Sequence, residues 1–224
     1  LFAPARKDKS GIEKRTFGVT DGKSGNTGLL PPLKASLGMT IQELLAIPEL
    51  EICDVAITPP CVAALYNITK ATKAAPGNQL GIFEDLGDYY SQTDLNLFWA
   101  IFEQSIPQGT GPTLEAIDGA EIPANNVATA GPESDLDFQI SYPIIYPQKS
   151  ILFQTDDPVY EANYTFEGFL NNFLYALDGS YCKNGSSALD PPYPDPQAGG
   201  YRGALQCGKY TPVGGLVITE INLH

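Results

Sequence analysis

The 224 residues include a single histidine, and it is the last of them. That scarcity excludes a Ser-His-Asp or Cys-His catalytic apparatus built from this chain, and a histidine-ligated metal site with it. Basic residues are also few: 13 Lys and Arg stand against 26 Asp and Glu, for a formal net charge of −13. Phosphate binding depends on clustered Lys and Arg, so no nucleic-acid partner is expected. No apolar run approaches the ~20 residues of a membrane-spanning helix, so no membrane partner is expected either. What is present is 43% hydrophobic and 10% aromatic residues. That is enough to build a sizeable core and to set aside global disorder.

The charge is unevenly spread. Residues 1–34 hold 7 basic and 3 acidic side chains, a net of +4, while the remainder carries −17. The basic head is rich in Gly, Lys, Ser and Thr, and residues 1–35 read as a linker without sustained periodicity. Lys14-Arg15 is a dibasic pair within it, equally readable as a processing site or as two solvated charges. Gly18 to Ser24 resembles a phosphate loop but is one residue short between its glycines. No apolar strand precedes it, so nucleotide binding is rejected.

The four cysteines fall as two local pairs, Cys53 with Cys61 and Cys182 with Cys207. Short-range pairing is the preferred of the three possible connectivities. Zinc is a poor alternative without a C-x2-C spacing or a nearby histidine. Three N-x-S/T sequons begin at Asn67, Asn163 and Asn184 and mark possible glycosylation sites. An even cysteine count, the sequons and an acidic balance point to a secreted protein. The start at Leu1, with no initiator Met and no apolar leader, reads as a processed product or a fragment.

Hydrophobic spacing sketches the elements. Thr40, with Glu43 three residues on, is positioned to cap a short helix. Pro59-Pro60 precede a second short helix over 61–66. Leu80 to Phe83 reads as a buried strand after Pro76-Gly77. Asp94 is placed to cap a helix whose apolar positions are Leu95, Phe98, Trp99 and Phe102. Residues 105–131 read as loop with one short strand at most. A helix is expected over 132–141, bounded by Gly131 and Pro143. Segments 144–146, 150–153 and 215–218 read as strands. The spacing at 166, 169, 170, 173, 174 and 177 predicts an amphipathic helix over 166–177. Residues 178–212 are rich in Gly, Pro and Tyr and are stapled by the second cysteine pair. Strands alternating with helices indicate an α/β layer fold.

The segment Glu133-Ser-Asp135-Leu-Asp137 places two acids at i and i+4. On a helix Asp137 lies about 40° from Glu133, on a face shared with Leu136 and Ile140 and expected to turn inward. Two such carboxyls in a partly desolvated setting share a proton over a raised range and form a general base with its orienting partner. The same acids are also favoured in a first helical turn by the macrodipole alone.

Several segments, taken in order, resemble the sedolisins, the serine-carboxyl peptidases, and most of all their secreted fungal members. They are Ile57 to Asn67, Gly81 to Glu84, Tyr90 to Phe98, the E-x-x-x-D of Glu133 and Asp137, and Tyr181-Cys182 with Tyr193 to Gly208. The resemblance covers roughly residues 50–213. It implies a subtilisin-like parallel sheet with flanking helices, here incomplete, secretion, a propeptide, and hydrolysis of peptide or protein substrates at acidic pH. Residues 1–48 are then the tail of a propeptide, and 49–224 the N-terminal part of the peptidase domain. Glu133 corresponds to the general base and Asp137 to the acid that orients it. A carboxylate base suits a pH at which imidazole would be protonated.

Neither a G-T-S-x-S nucleophile motif nor the S-G-D segment of the family's oxyanion-stabilising Asp occurs; Leu216 to Ile218 leads into Thr219 to His224 instead. The chain alone is therefore expected to be inactive. The family's calcium site belongs to an acidic C-terminal stretch absent from these residues, so no cofactor is expected here. The alternative is a non-catalytic secreted glycoprotein, or binding module, that reuses the fold.

Overall fold

The computed structural model describes residues 5–7, 13–15, 50–51, 53, 56–85, 87–120, 130–155, 159, 166–185, 190–211 and 214–218. The helix expected after Thr40 and the sequon at Asn163 lie outside them. The chain divides into two compact units: residues 1–71, 90–110 and 125–146 form one, and 72–89, 111–124 and 147–224 the other.

The first unit is helical. The head, read as linker, carries a short antiparallel ladder of β1 (Ala5–Lys7) and β2 (Glu13–Arg15), with Ala5 opposite Arg15. Helix α1 (Pro59–Leu65) starts on two prolines, whose fixed φ and missing N–H suit a first turn. Cys61 on α1 is bonded to Cys53, S–S 2.06 Å, as the local pairing anticipates.

Helix α2 spans Gln92–Phe102 and is capped by Ser91, not by Asp94. The Asp94 N–H donates to Ser91 Oγ at 3.2 Å. Asp94 thus sits in the first turn, where its negative charge meets the positive helix end.

Helix α3 spans Pro132–Ile145 and runs through Pro143, so the expected stop at 141 and the strand at 144–146 are both corrected. Pro143 lies in the last turn, where only one intrahelical N–H is forfeited, and the Tyr146 N–H still closes on the Tyr142 carbonyl at 2.8 Å. Helix α3 packs against both α1 and α2. Between α2 and α3 lie Leu95, Trp99, Phe138 and Tyr142, all fully or almost fully buried. The Trp99 and Tyr142 rings meet edge to face at 5.8 Å, and the indole N–H donates to the Thr110 carbonyl at 3.0 Å.

The second unit is a four-stranded parallel sheet in the order β4-β5-β3-β6: β3 is Gln79–Glu84, β4 Thr113–Ile117, β5 Ser150–Thr155 and β6 Gly214–Ile218. The first strand in sequence therefore lies inside the sheet, with later strands added on both sides. β5 is one of the two inner strands and is buried at all six positions, its Ile151-Leu152-Phe153 run flanked by the buried polar residues Ser150, Gln154 and Thr155.

One sheet face carries Phe83, Ile117, Ile151 and Phe153, covered by Phe173 and Ala176 of helix α4 (Phe166–Leu177). The Phe83 and Phe173 rings meet at a tilt of 49° with centroids 4.7 Å apart. The Tyr-rich segment after α4 folds back on the same unit. Gly208 and Tyr210 N–H groups donate to the Tyr175 and Ala176 carbonyls, and Tyr210 Oη donates to the Ala116 carbonyl at 2.6 Å. The Cys182–Cys207 bond closes this segment, the second of the two anticipated pairs. The architecture is α/β, with a parallel sheet and accompanying helices, as the sequence indicates.

Candidate active site

Helix α3 carries the E-x-x-x-D pair. Gly131 is its N-cap and provides no side-chain cap, Pro132 opens it, and Glu133 and Asp135 fall in its first turn. Acids are favoured there because unpaired N–H groups leave the helix start partly positive. One turn separates Glu133 from Asp137, so the two side chains are neighbours on one face. Both are half-buried.

The orientation of that face differs from expectation. The residues that α3 buries are Ser134, Asp135, Phe138, Tyr142 and Pro143, while Leu136 remains 47% exposed. With Asp135 as reference, Phe138 and Tyr142 lie within about 60° of it, and Glu133 and Asp137 about 160° away. Two aromatic rings offer far more area to the core than Leu136 and Ile140, and they decide which way the helix turns. The candidate base and its partner are thereby kept at the boundary with solvent. A group that must accept a proton from a substrate-facing hydroxyl needs such a position.

Asp135, which helical geometry alone sets away from the acid pair, is the buried carboxyl of this helix, 5% exposed. It accepts a hydrogen bond of 2.7 Å from the backbone N–H of Ser91. Ser91 also caps α2 through its hydroxyl. In a capping box, the third helical residue reaches back to the cap residue's N–H. Here a carboxylate from another helix makes that second bond, so the starts of α2 and α3 are tied together.

The Asp94 carboxyl shares a hydrogen bond with that of Asp135. Burial raises the Asp94 pKa above its ordinary value, against the lowering effect of its hydrogen bonds with Asp135 and Ser91. Tyr90 packs edge-on to Phe138 at 5.4 Å. Its phenol is also raised, by burial first and then by the charge of Asp135.

Two further acids, Asp85 and Asp118, lie in the sheet unit. Asp85, just after β3, is pushed up to about 7 by burial and by the adjacent charge of Asp88. Asp118, at the end of β4, is buried with φ 53° and accepts the Tyr193 hydroxyl. Among the described residues, no group of three or more His, Cys, Asp or Glu is placed to hold a metal ion. No described helix is long and apolar enough to cross a membrane. Asn67 is exposed, and Asn184 closes the 3-10 turn Tyr181–Asn184.

Comparison with known proteins places this site in context. The chain is 61% identical over 206 residues to a tripeptidyl-peptidase, sed1, of Aspergillus fumigatus, covering 92% of this chain and 30% of that protein. It is 52% identical over 168 residues to aorsin of Aspergillus oryzae, covering 71% of this chain and 25% of aorsin. A tripeptidyl-peptidase SED1 of Arthroderma otae is 33% identical over 185 residues, covering 80% and 26% respectively. No protein-family model and no solved structure gives a significant match. The chain belongs to the sedolisin family of peptidases, and it spans between a quarter and a third of the length of these curated relatives.

Proposed function

We propose that this chain supplies the general-base side of a serine-type peptidase that works at acidic pH. In this reading Glu133 takes the proton of a serine hydroxyl as its oxygen bonds to the scissile carbonyl carbon. Glu133 then returns that proton to the departing amine as the C–N bond breaks. Asp137, one turn away, orients Glu133. Peptides or proteins are the substrates, by release of tripeptides or by internal cleavage. The serine and the oxyanion-stabilising acid belong to sequence other than these 224 residues, so the chain by itself is expected to turn nothing over.

The observation that carries the reading is the 61% identity to a tripeptidyl-peptidase over 206 of the 224 residues. An alignment of that length necessarily includes α3. Secretion and synthesis as a zymogen, with residues 1–48 closing a propeptide, complete the reading. Two disulfides, and an exposed Asn67 as one of three acceptors with Asn163 and Asn184, support the oxidising route.

The test is a peptidase assay at acidic pH on the complete gene product beside its Glu133→Gln variant. Glutamine keeps the shape and removes the base, so a loss of about 10²–10⁴-fold in kcat is expected. Undiminished activity in the variant would overturn the assignment.

A further inference from the structure

Three groups meet where two helices begin. The N-cap Ser91 of α2 donates its backbone N–H to Asp135 at 2.7 Å, and its hydroxyl accepts the Asp94 N–H at 3.2 Å. The carboxyls of Asp94 and Asp135 are hydrogen-bonded to each other. Such a bond needs a proton on one of the two carboxyls, and burial, which raises the Asp94 pKa, favours its being there. Both acids stand in first helical turns, and two positive helix ends favour the single charge. A second charge is opposed by burial, since Asp135 is 5% exposed.

We propose that Asp135 is a positioning residue of the active site. By sharing one proton with Asp94 and accepting the Ser91 N–H, it fastens the turn of α3 that presents Glu133 and Asp137 to the start of α2. Its bearing on catalysis rests on the peptidase reading above; the lock itself does not. The residues it holds are its immediate neighbours: Glu133 precedes Asp135 by two positions, and Asp137 follows by two. The buried stripe of Asp135, Phe138 and Tyr142 then fixes the rotation of α3, leaving Glu133 and Asp137 on the half-exposed side.

The ionisable groups on the surrounding elements are few. Tyr90 precedes α2, Glu133, Asp137 and Tyr142 share α3, and α1 offers only Cys61, which is in a disulfide. Glu103 follows the far end of α2, paired with Lys70. No cation on these helices competes for the carboxyl pair.

The lock has a defined pH sense. A carboxyl whose folded-state pKa is raised stabilises the fold fully below its unfolded value, 3.8, and loses that stabilisation as pH rises through the folded value. The stabilisation that the Asp94 proton lends to this tie is therefore whole in acid and declines as pH rises, while the Ser91 N–H bond to Asp135 needs no proton.

The test uses the 224-residue chain and needs no catalysis. Carboxyl carbons of Asp94 and Asp135 are followed by NMR against pH, with melting temperature and amide-exchange protection of residues 133–137. In the unmodified chain, one proton of the pair is expected to titrate above 3.8, and protection over 133–137 to fall as it leaves. In Asp94→Asn, an amide N–H replaces the shared proton at every pH. That variant is expected to keep its acid-level protection at neutral pH and to melt about 3 °C or more above the unmodified chain there. Asp135→Asn, which retains both an acceptor for Ser91 and a donor for Asp94, is expected to do the same.

A merely structural acid would show neither the pH dependence nor this rescue. Independent titration of both carboxyls near 3.8 would overturn the proposal, as would Asp94→Asn protection that falls with pH as steeply as in the unmodified chain. Failure of the peptidase reading appears elsewhere, as a complete gene product without activity, and leaves these titrations unchanged.

Discussion

Lys70 Nζ donates to both carboxylate oxygens of Glu103, at 2.8 and 2.7 Å, and so neutralises an acid held at the wrong end of a helix. Glu103 is the C-cap residue of α2, where the helix end is partly negative, and its side chain is only 6% exposed. Ser105 Oγ adds a further bond at 2.6 Å. Lys70→Met removes the cation and leaves the buried carboxylate with Ser105 alone. Because the lysine is 54% exposed, solvent offsets part of the loss. Destabilisation of about 1–2 kcal/mol is expected in urea unfolding at pH 7. The double variant Lys70→Met/Glu103→Gln should recover most of it.

Asp85 gives the sheet unit its own pH dependence. Its carboxyl, pushed up to about 7 by burial and then by Asp88, stabilises the fold when protonated. That stabilisation is whole below the ordinary 3.8 and declines as pH rises to about 7. Asp85→Asn removes the charge that burial opposes. The variant is expected to gain on the order of 2 kcal/mol over the unmodified chain at pH 8 and nothing at pH 3. Thermal melting across that range reads the difference; equal curves at both ends would contradict it.

The two disulfides should differ in worth. Cys182 and Cys207 are 25 positions apart, whereas Cys53 and Cys61 are 8 apart. Loop-closure entropy gives about 3.5 kcal/mol for the longer and about 2.5 kcal/mol for the shorter. Paired Cys→Ala variants, unfolded in urea under non-reducing conditions, are expected to lose stability in that order. A larger loss at Cys53 and Cys61 would mean that strain or packing, rather than loop length, governs both.

Much of the fold is legible along the chain because single residues announce it. Phe166 to Leu177 keeps its apolar spacing for three turns, and the helix has those bounds. Paired prolines mark the start of α1, and short apolar runs mark β3 and β5. Misreadings arise where two rules compete. Ser91 and Asp94 are both good caps, and Ser91 prevails because its hydroxyl is placed to meet the Asp94 N–H. Pro143 ends most helices but sits harmlessly in a last turn.

The pair Glu133 and Asp137 is visible as a spacing, whereas the inward role of Asp135 is not, since a charged residue is ordinarily assigned to solvent. One signal was available. Tyr142 and Phe138 stand four residues apart, and continuing their stripe back by one turn lands on Asp135 and Ser134, both buried. No pattern in the chain indicates that Asp135 should meet Ser91, 44 positions earlier, because that bond exists only once two helices have packed.

Trp99 is the only tryptophan among the 224 residues, and it is wholly enclosed within the helical unit. Its indole fluorescence is therefore a private optical channel for one of the two compact units, while amide-exchange protection of β3 and β5 reports on the other. Collapse of the two signals at different urea concentrations would show the helices and the sheet to be separate cooperative bodies. A single shared midpoint would show them to be one.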